Sequence, residues 1–262
     1  MSSLSQEELT RYARQIGPGV LTLRGQEKLK DSAVLVSRAG GMGGPAALAL
    51  VMAGVGRVIL AHGGRLTLPD LNRQILGCER LVGEPRASQF AEYLQGMNRF
   101  VAVEAIDREP DDAEALELAR RVNLVLSCAP TFEERLRLNR AAVTAGVPLV
   151  DAAQWGMTGT LLVVDPGRTA CLQCIYPTTP EFEELFPVVG AISAATGSLA
   201  ALEAIKILSG DGRPSFGRLW AIDGYRGASR QLHLQRNPEC PCCSAAADVP
   251  TNPSPVFGVP SC

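Results

Sequence analysis

The sequence predicts an α/β fold, a Rossmann-like sheet that is mostly parallel and continues into antiparallel strands. Three observations carry that expectation. Short apolar runs alternate with helical stretches from Ala33 to Ala152, the pattern of a parallel sheet covered by helices. A glycine cluster, Gly40 to Gly44, lies between the first strand and the first helix of that series, where a turn aims backbone N–H groups at an anion. After Ala152 the spacing changes to that of antiparallel strands.

Each element follows in chain order. Gln6 to Lys30 has apolar residues at helical spacing (Leu9, Tyr12, Ala13, Ile16), so the first 30 residues read as a helical segment. Ala33 to Val36 is a buried strand, and Pro45 to Ala53 a helix. The strands Arg57–Ala61, Val101–Ile106, Asn123–Cys128 and Pro148–Ala152 then alternate with the helices Arg86–Met97, Asp112–Arg121 and Phe132–Ala145. "TGTLLVVD" (Thr158–Asp165), "GRLWAID" (Gly217–Asp223) and "RQLHLQR" (Arg230–Arg236) are the antiparallel strands, with an alanine-rich helix over Ala191–Ser209 among them. Residues 1–248 read as a single domain. The tail Val249–Cys262, rich in Pro, Ser and Asn, has little to bury and is expected to be disordered or docked as an extended segment.

Bulk properties exclude several classes. The chain has 262 residues, 46% of them hydrophobic, with 25 basic and 27 acidic side chains and a net charge of −2. No basic block stands out, so nucleic acid is not an expected partner. The polar amino terminus lacks the apolar core of a secretory signal. The longest apolar run, Ala46 to Val55, is too short for a bilayer. A cytoplasmic protein without a membrane partner is expected.

Eight cysteines are present, and in a reducing compartment clustered cysteines read as metal ligands or reactive thiols. Cys171-x-x-Cys174 and Cys240-x-x-Cys243 form two knuckles whose four thiolates can close tetrahedrally on a structural zinc. Cys242 is a competing ligand for the second knuckle. The glycine cluster is a weaker signal. Counting back from Gly40 and Gly43, the first glycine of G-x-G-x-x-G is replaced by Arg38. A shifted reading, Gly41-x-Gly43-x-x-Ala46, restores a dinucleotide fingerprint, but the second strand ends Leu60-Ala61-His62-Gly63-Gly64 with no carboxylate for a ribose. NAD is therefore not expected. Arg73 in "LNRQ", Arg86 in "GEPRAS" and Arg14 in "RYARQ" are each ordinary surface arginines alone. Together they are three cations available to a polyphosphate.

The order "LTRYARQI", "GQEKLKDSAVLV", the glycine turn, "AGVGRVIL", "DLNRQIL", "VGEPRA", "MNRFV", "VNLVLSC", "CLQC", "GSLAALEAIKIL" and "NPECPCC" resembles the ThiF/MoeB/HesA adenylyltransferases. These are relatives of ubiquitin-activating enzymes, and the resemblance covers Leu4 to Cys243. It implies Mg-ATP-dependent adenylylation of the C-terminal glycine of a ubiquitin-like sulfur carrier ending in Gly-Gly. It also implies a dimer carrying a four-cysteine zinc.

Residue by residue, the resemblance assigns Arg14 to the triphosphate of a neighbouring subunit and Arg73 to phosphate. Arg86 stands where the family has a phosphate-binding lysine, and Asn72 matches a polar position of the site. Gly40, Gly41 and Gly43 keep the turn. The departures are heavier. Arg38 places a bulky side chain where ATP approaches the backbone. His62 and Gly64 replace the two acids at the end of the second strand, and Pro130 replaces the magnesium aspartate. Asp70, Asp151 and Asp223 remain, with nothing in the sequence to place them on magnesium. "TTPEFEELFPVVGAIS" lacks the crossover-loop cysteine of some members. The expectation is weak Mg-ATP binding, with lost or much reduced adenylylation. The chain then acts as a carrier-binding subunit, or as a homodimeric or heterodimeric partner of an active member. Two alternatives stay open: an active enzyme with a rearranged site, and a pocket of Arg38, His62 and Arg65 for another small anion.

Overall fold

The computed structural model describes residues 2–181 and 187–244. The expected tail 249–262 lies outside them, as does part of the crossover segment. Eight strands form one sheet in the order β3-β2-β1-β4-β5-β6-β7-β8. These are β1 Ala33–Ser37, β2 Arg57–Ala61, β3 Ala102–Ile106, β4 Leu124–Ser127, β5 Leu149–Trp155, β6 Thr158–Val164, β7 Arg218–Asp223 and β8 Ala228–His233. The pairings β3·β2, β2·β1, β1·β4 and β4·β5 are parallel. Those of β5·β6, β6·β7 and β7·β8 are antiparallel. The change of sequence pattern after Ala152 is thus the change from crossovers to hairpins. Gly156 (φ 57°) opens the two-residue turn between β5 and β6, which needs a left-handed first residue.

The helices are α1 Gln6–Arg11, α2 Leu23–Lys30, α3 Gly43–Ala53, α4 Arg86–Met97, α5 Asp112–Arg120, α6 Phe132–Ala145, α7 Leu172–Ile175 and α8 Gly190–Ser209. Successive side chains of a strand face opposite sides, so the sheet separates two cores. Val34, Val36, Leu60 and Leu126 pack with Leu50 of α3, Phe90 of α4 and Ala204 of α8. Leu35, Ile59 and Val125 pack with Leu118 of α5, Leu136 of α6 and Cys171. Among the described residues one helix, Gly190–Ser209, is long and apolar enough to cross a membrane. It lies instead against α2, α3, β5 and β6, as a core helix does.

Three elements differ from expectation, each for a physical reason. The amino-terminal segment is two helices, because Ser5 and Thr22 each cap a separate one by accepting a backbone N–H. β5 runs on to Trp155 because the hairpin continues its ladder through polar Gln154, which breaks the apolar run, to exposed Trp155. β8 starts at Ala228, directly after its turn, and ends at His233. It is an edge strand with every residue exposed, so no burial pattern marks its register.

Gly197 is where α8 touches the loop that begins α3. A Cβ there would stand 2.1 Å from the Met42 carbonyl oxygen. Gly197→Ala is therefore expected to destabilise the fold by about 1–3 kcal/mol, the usual cost of overpacking. Urea unfolding of both chains checks this; an unchanged midpoint would show that the helix yields freely.

Candidate functional site

The sheet order reverses between β1 and β4, and open α/β sheets hold ligands beyond the carboxyl ends of the strands at such a point. A cleft of about 410 Å³ opens there. The turn after β1 supplies Arg38, Gly40, Gly41 and Met42, and the end of β2 supplies His62. Asp70, Arg73, Gln74 and Arg86 come from the connection between β2 and α4 and the first residue of α4. Cys128, Ala129, Pro130, Phe132 and Arg135 follow β4. Gln154, Trp155, Thr158 and Tyr176 close the other side.

Arg38 is the only non-glycine residue with positive φ (63°) among the described residues. Its carbonyl accepts from Gly40 N–H at 2.6 Å. A Cβ on Gly43 would stand 2.3 Å from that same carbonyl oxygen. Gly43 is thus a packing glycine beneath the turn and does not line the cleft. The Arg38 side chain is closed on two acids. Its Nε donates to both oxygens of Glu134 at 3.0 and 2.9 Å, and its Nη2 stands 2.8 Å from the same carboxylate. Nη1 donates to Glu109. Glu134 is buried.

Asp70 is the second centre. Oδ2 accepts from Thr67 N–H (2.9 Å), Thr67 Oγ1 (2.6 Å) and Arg86 Nη2 (2.6 Å). Oδ1 accepts from Gln74 Nε2 at 2.8 Å and Arg73 Nη2 at 3.3 Å. Burial pushes the Asp70 carboxyl upward, but the bonds from Thr67 and Arg86 outweigh it and hold its pKa below the usual value. Beside it, burial first, then the charges of Arg86 and Arg38, bring His62 down to about 3. The imidazole is neutral at pH 7, and its buried Nδ1 has no partner. Arg135 closes on Asp151 (Nη2–Oδ2 2.6 Å), with its guanidinium 4.7 Å from the Phe132 ring centroid. Burial, then Asp151, push the Cys128 thiol far up, so it is an inert thiol.

The structure thus brings together Arg38, Gly40, Gly41, His62, Arg73 and Arg86. It does not bring Asn72, which is exposed and accepts from Arg73 Nη1 at 2.9 Å. Arg14 is exposed in the turn after α1 and does not line the cleft. Arg65 donates to the Gly83 carbonyl and does not line the cleft. Asp223 holds Arg226 on the β7–β8 hairpin. Sequence reasoning missed Glu109 and Glu134 as partners of Arg38, and the aromatic wall of Phe132 and Tyr176, whose ring centroids are 4.7 Å apart.

The four cysteines of the knuckles form a second cluster. The Sγ atoms of Cys171, Cys174, Cys240 and Cys243 all lie within 4.8 Å of one another. Individual separations are 3.7 Å (Cys171–Cys240), 3.5 Å (Cys174–Cys243) and 4.0 Å (Cys171–Cys174). A tetrahedron with metal–sulfur bonds of about 2.3 Å has edges of about 3.8 Å, so the cluster is positioned to hold a metal. Asn139 Nδ2 donates to Cys171 at 3.6 Å and to Cys242 at 3.3 Å. Cys242 lies beside the cluster, outside the set of four mutually close thiols. Pinning at this point joins the segment after β8 to α7.

The chain matches the ThiF family over residues 12–242. It is 41% identical over 244 residues to the heterocyst protein HesA of Trichormus variabilis, covering 93% of this chain and 91% of that one. It is 37% identical to the sulfur carrier protein adenylyltransferase of Thermus thermophilus, covering 94% of each. It is 34% identical to the adenylyltransferase and sulfurtransferase MOCS3 of Anopheles gambiae, covering 96% of this chain but 58% of that one. Among solved structures, E. coli MccB with MccA-N7isoASN superposes with a TM-score of 0.79 at 21% identity, covering 89% of this chain and 74% of that one. That likeness shows the fold alone.

Asp70 carries a pH-dependent prediction. Its folded pKa is depressed, so its contribution to stability is present above the unfolded value of about 3.9 and is lost as pH falls through the folded value. Asp70→Asn should be less stable than the parent at pH 7, with the gap shrinking as pH drops below about 4. Chemical unfolding across that range checks it; a gap independent of pH would place the effect in packing.

Proposed function

The chain belongs to the ThiF family, and from that premise we propose a non-catalytic role in a ubiquitin-like sulfur-carrier pathway. It binds a carrier ending in Gly-Gly, or pairs with a catalytically complete relative, and its own Mg-ATP-dependent adenylylation is lost or much reduced. The relatives named for sulfur-carrier adenylylation support the pathway. One observation carries the loss of activity. Among the described residues the only carboxylate lining the cleft is Asp70, and its oxygens are taken by Thr67, Gln74, Arg73 and Arg86. Pro130 and His62 stand where the resemblance calls for acids. Magnesium bound at triphosphate is held through carboxylate oxygens, and it offsets charge that develops during transfer. A missing charge-assisted ligand costs about 2–4 kcal/mol of transition-state stabilisation. Two such losses slow the step by on the order of a thousandfold or more.

In this reading residues 1–248 form one unit, found in the cytoplasm. Arg73 and Arg86 keep the phosphate end of the cleft, now tied to Asp70. Arg14, exposed and outside the lining of this cleft, acts in trans on a partner's ATP. The second subunit covers the outer face of α8, where Ala191, Ala195, Ser198 and Leu202 recur at helical spacing and are exposed. Met52 of α3 and Leu23 of α2 are exposed on helices that α8 touches. A patch of this kind suits association. A zinc held by Cys171, Cys174, Cys240 and Cys243 stabilises the carboxyl-terminal half without taking part in chemistry, since four thiolates leave no open position. The second reading, an active adenylyltransferase, is favoured by the 37% identity to an enzyme of that name over nearly the whole chain.

ATP–pyrophosphate exchange separates the two. The chain alone, with candidate carriers, is expected to show no exchange above background. Robust exchange that disappears with Arg73→Ala would establish the active reading. In a pair with an active relative, Arg14→Ala should abolish the relative's gain without changing this chain's melting temperature. Elemental analysis of protein purified without chelator should find about one zinc per chain. Less than half that value, or full protease resistance after Cys174→Ser, would remove the metal from the account.

A further inference from the structure

Cys242 is the cysteine that the metal cluster leaves over. It is half-buried beside four thiols that lie within 4.8 Å of one another. Two of those four, Cys240 and Cys243, belong to its own stretch, Cys240-Pro241-Cys242-Cys243. A Cys240-x-Cys242 pair brings the same soft sulfur ligands as Cys240-x-x-Cys243, so the spacing by itself leaves zinc a choice. The fold has to make that choice.

One side chain touches both the cluster and the extra thiol. Asn139 on α6 is fully buried, and its Nδ2 donates to Cys171 Sγ at 3.6 Å and to Cys242 Sγ at 3.3 Å. Its Oδ1 accepts from the Leu172 N–H at 2.9 Å. A backbone N–H can only donate, so this third bond fixes which end of the amide faces the sulfurs. Leu172 opens α7, whose first N–H groups receive no bond from the Cys171 side chain and need a partner from elsewhere. The amide thus spends its oxygen on the helix that carries the first knuckle and one N–H on each of two sulfurs. The other knuckle is held by separate groups. Asn237 N–H donates to Cys174 Sγ at 3.5 Å, and Arg236 donates to the Cys243 carbonyl. Four thiolates on one zinc ion leave negative charge in excess, and N–H donors to sulfur spread that charge and aim the lone pairs.

We propose that Asn139 is a positioning residue of this metal centre: its amide keeps Cys171 in the ligand set and holds Cys242 out of it. The proposal rests on the reading that the four thiols hold zinc, and it adds what selects four ligands from five. A sulfur engaged by that N–H is held at the amide rather than at the metal. Without the N–H donors, Cys171 loses the bond that orients it and Cys242 is free to compete for a corner. The centre then becomes a mixture of ligand sets that gives up its metal faster. Asn139→Asp isolates this role from a purely structural one. It preserves the size of the side chain and the acceptor for Leu172, and it removes both donors.

The test uses the zinc-loaded full chain and its cobalt(II)-substituted form, whose thiolate-to-cobalt absorption reports the ligand set. The readouts are the rate of zinc transfer to a colorimetric chelator and that spectrum. Asn139→Asp should release zinc about tenfold faster or more, the scale of losing an outer-shell partner, with a cobalt spectrum of more than one component. Cys242→Ser alone, at a half-buried position, should leave rate and spectrum as in the parent. Added to Asn139→Asp, it should return the spectrum to one component. Parental rate and spectrum in Asn139→Asp overturn the proposal and leave the amide only a cap for α7. Loss of metal in Cys242→Ser alone overturns it as well, by making Cys242 a ligand of the parent. A parent chain with neither zinc nor a cobalt–thiolate band defeats the reading beneath, and this inference falls with it.

Discussion

The contact on which the site depends is the grip of Glu134 on Arg38. The Arg38 backbone, at φ 63°, sits in the left-handed region, which costs about 1–3 kcal/mol for a residue other than glycine. Such a conformation persists only where its surroundings hold it. Here the holding is visible: β1 feeds straight into the turn, Gly43 packs beneath the Arg38 carbonyl, and a buried carboxylate meets the guanidinium along one edge. A buried ion pair gains little over a hydrophobic pair, but losing one member leaves an uncompensated charge. Arg38 and Glu134 are therefore bound to one another in energy as well as in space. Together with Glu109 they tie the carboxyl ends of β1 and β4, which flank the switch point, to the connection that follows the edge strand β3.

The same logic runs through the rest of the cleft. Asp70 turns two arginines toward itself, and Asp151 does so with Arg135. A site built to clasp a metal–phosphate complex keeps cations unpaired or poorly paired in its resting state and supplies carboxylates for the metal. This cleft has the opposite balance. Its cations are answered internally and its one lining acid is saturated. The ThiF fold positions this cleft, and the residues within it decide what the cleft can do.

Much of the fold was legible because burial leaves a period in the sequence. β1 and β4 are buried at every residue and read as unbroken apolar runs, and α3 and α8 read as apolar helices. β8 was misplaced by two residues at its start and three at its end because nothing on an exposed edge strand records register. The site was legible only in part. The cysteine knuckles announce the cluster through spacing, with Cys242 and Cys243 competing for its fourth place, and Arg38, His62 and Pro130 stood out against the family pattern. The partners of those residues did not. Glu134 and Arg38 are 96 positions apart, and a glutamate in the first turn of a helix looks like any other complement to the helix dipole. Asp70 lay in plain view before "LNRQ", but its capture by Arg86 across the β2–α4 connection is a tertiary contact that no local signal encodes.

The central claim is that no carboxylate in this cleft is available to a divalent cation at phosphate. Manganese(II) substitutes for magnesium and reports its ligands by electron paramagnetic resonance, so a manganese–ATP titration with the protein reads that claim directly. The account predicts that the spectrum of manganese–ATP in buffer is unchanged when the protein is added. A broadened, protein-bound signal that appears only with ATP, and that Asp70→Asn abolishes, would contradict it.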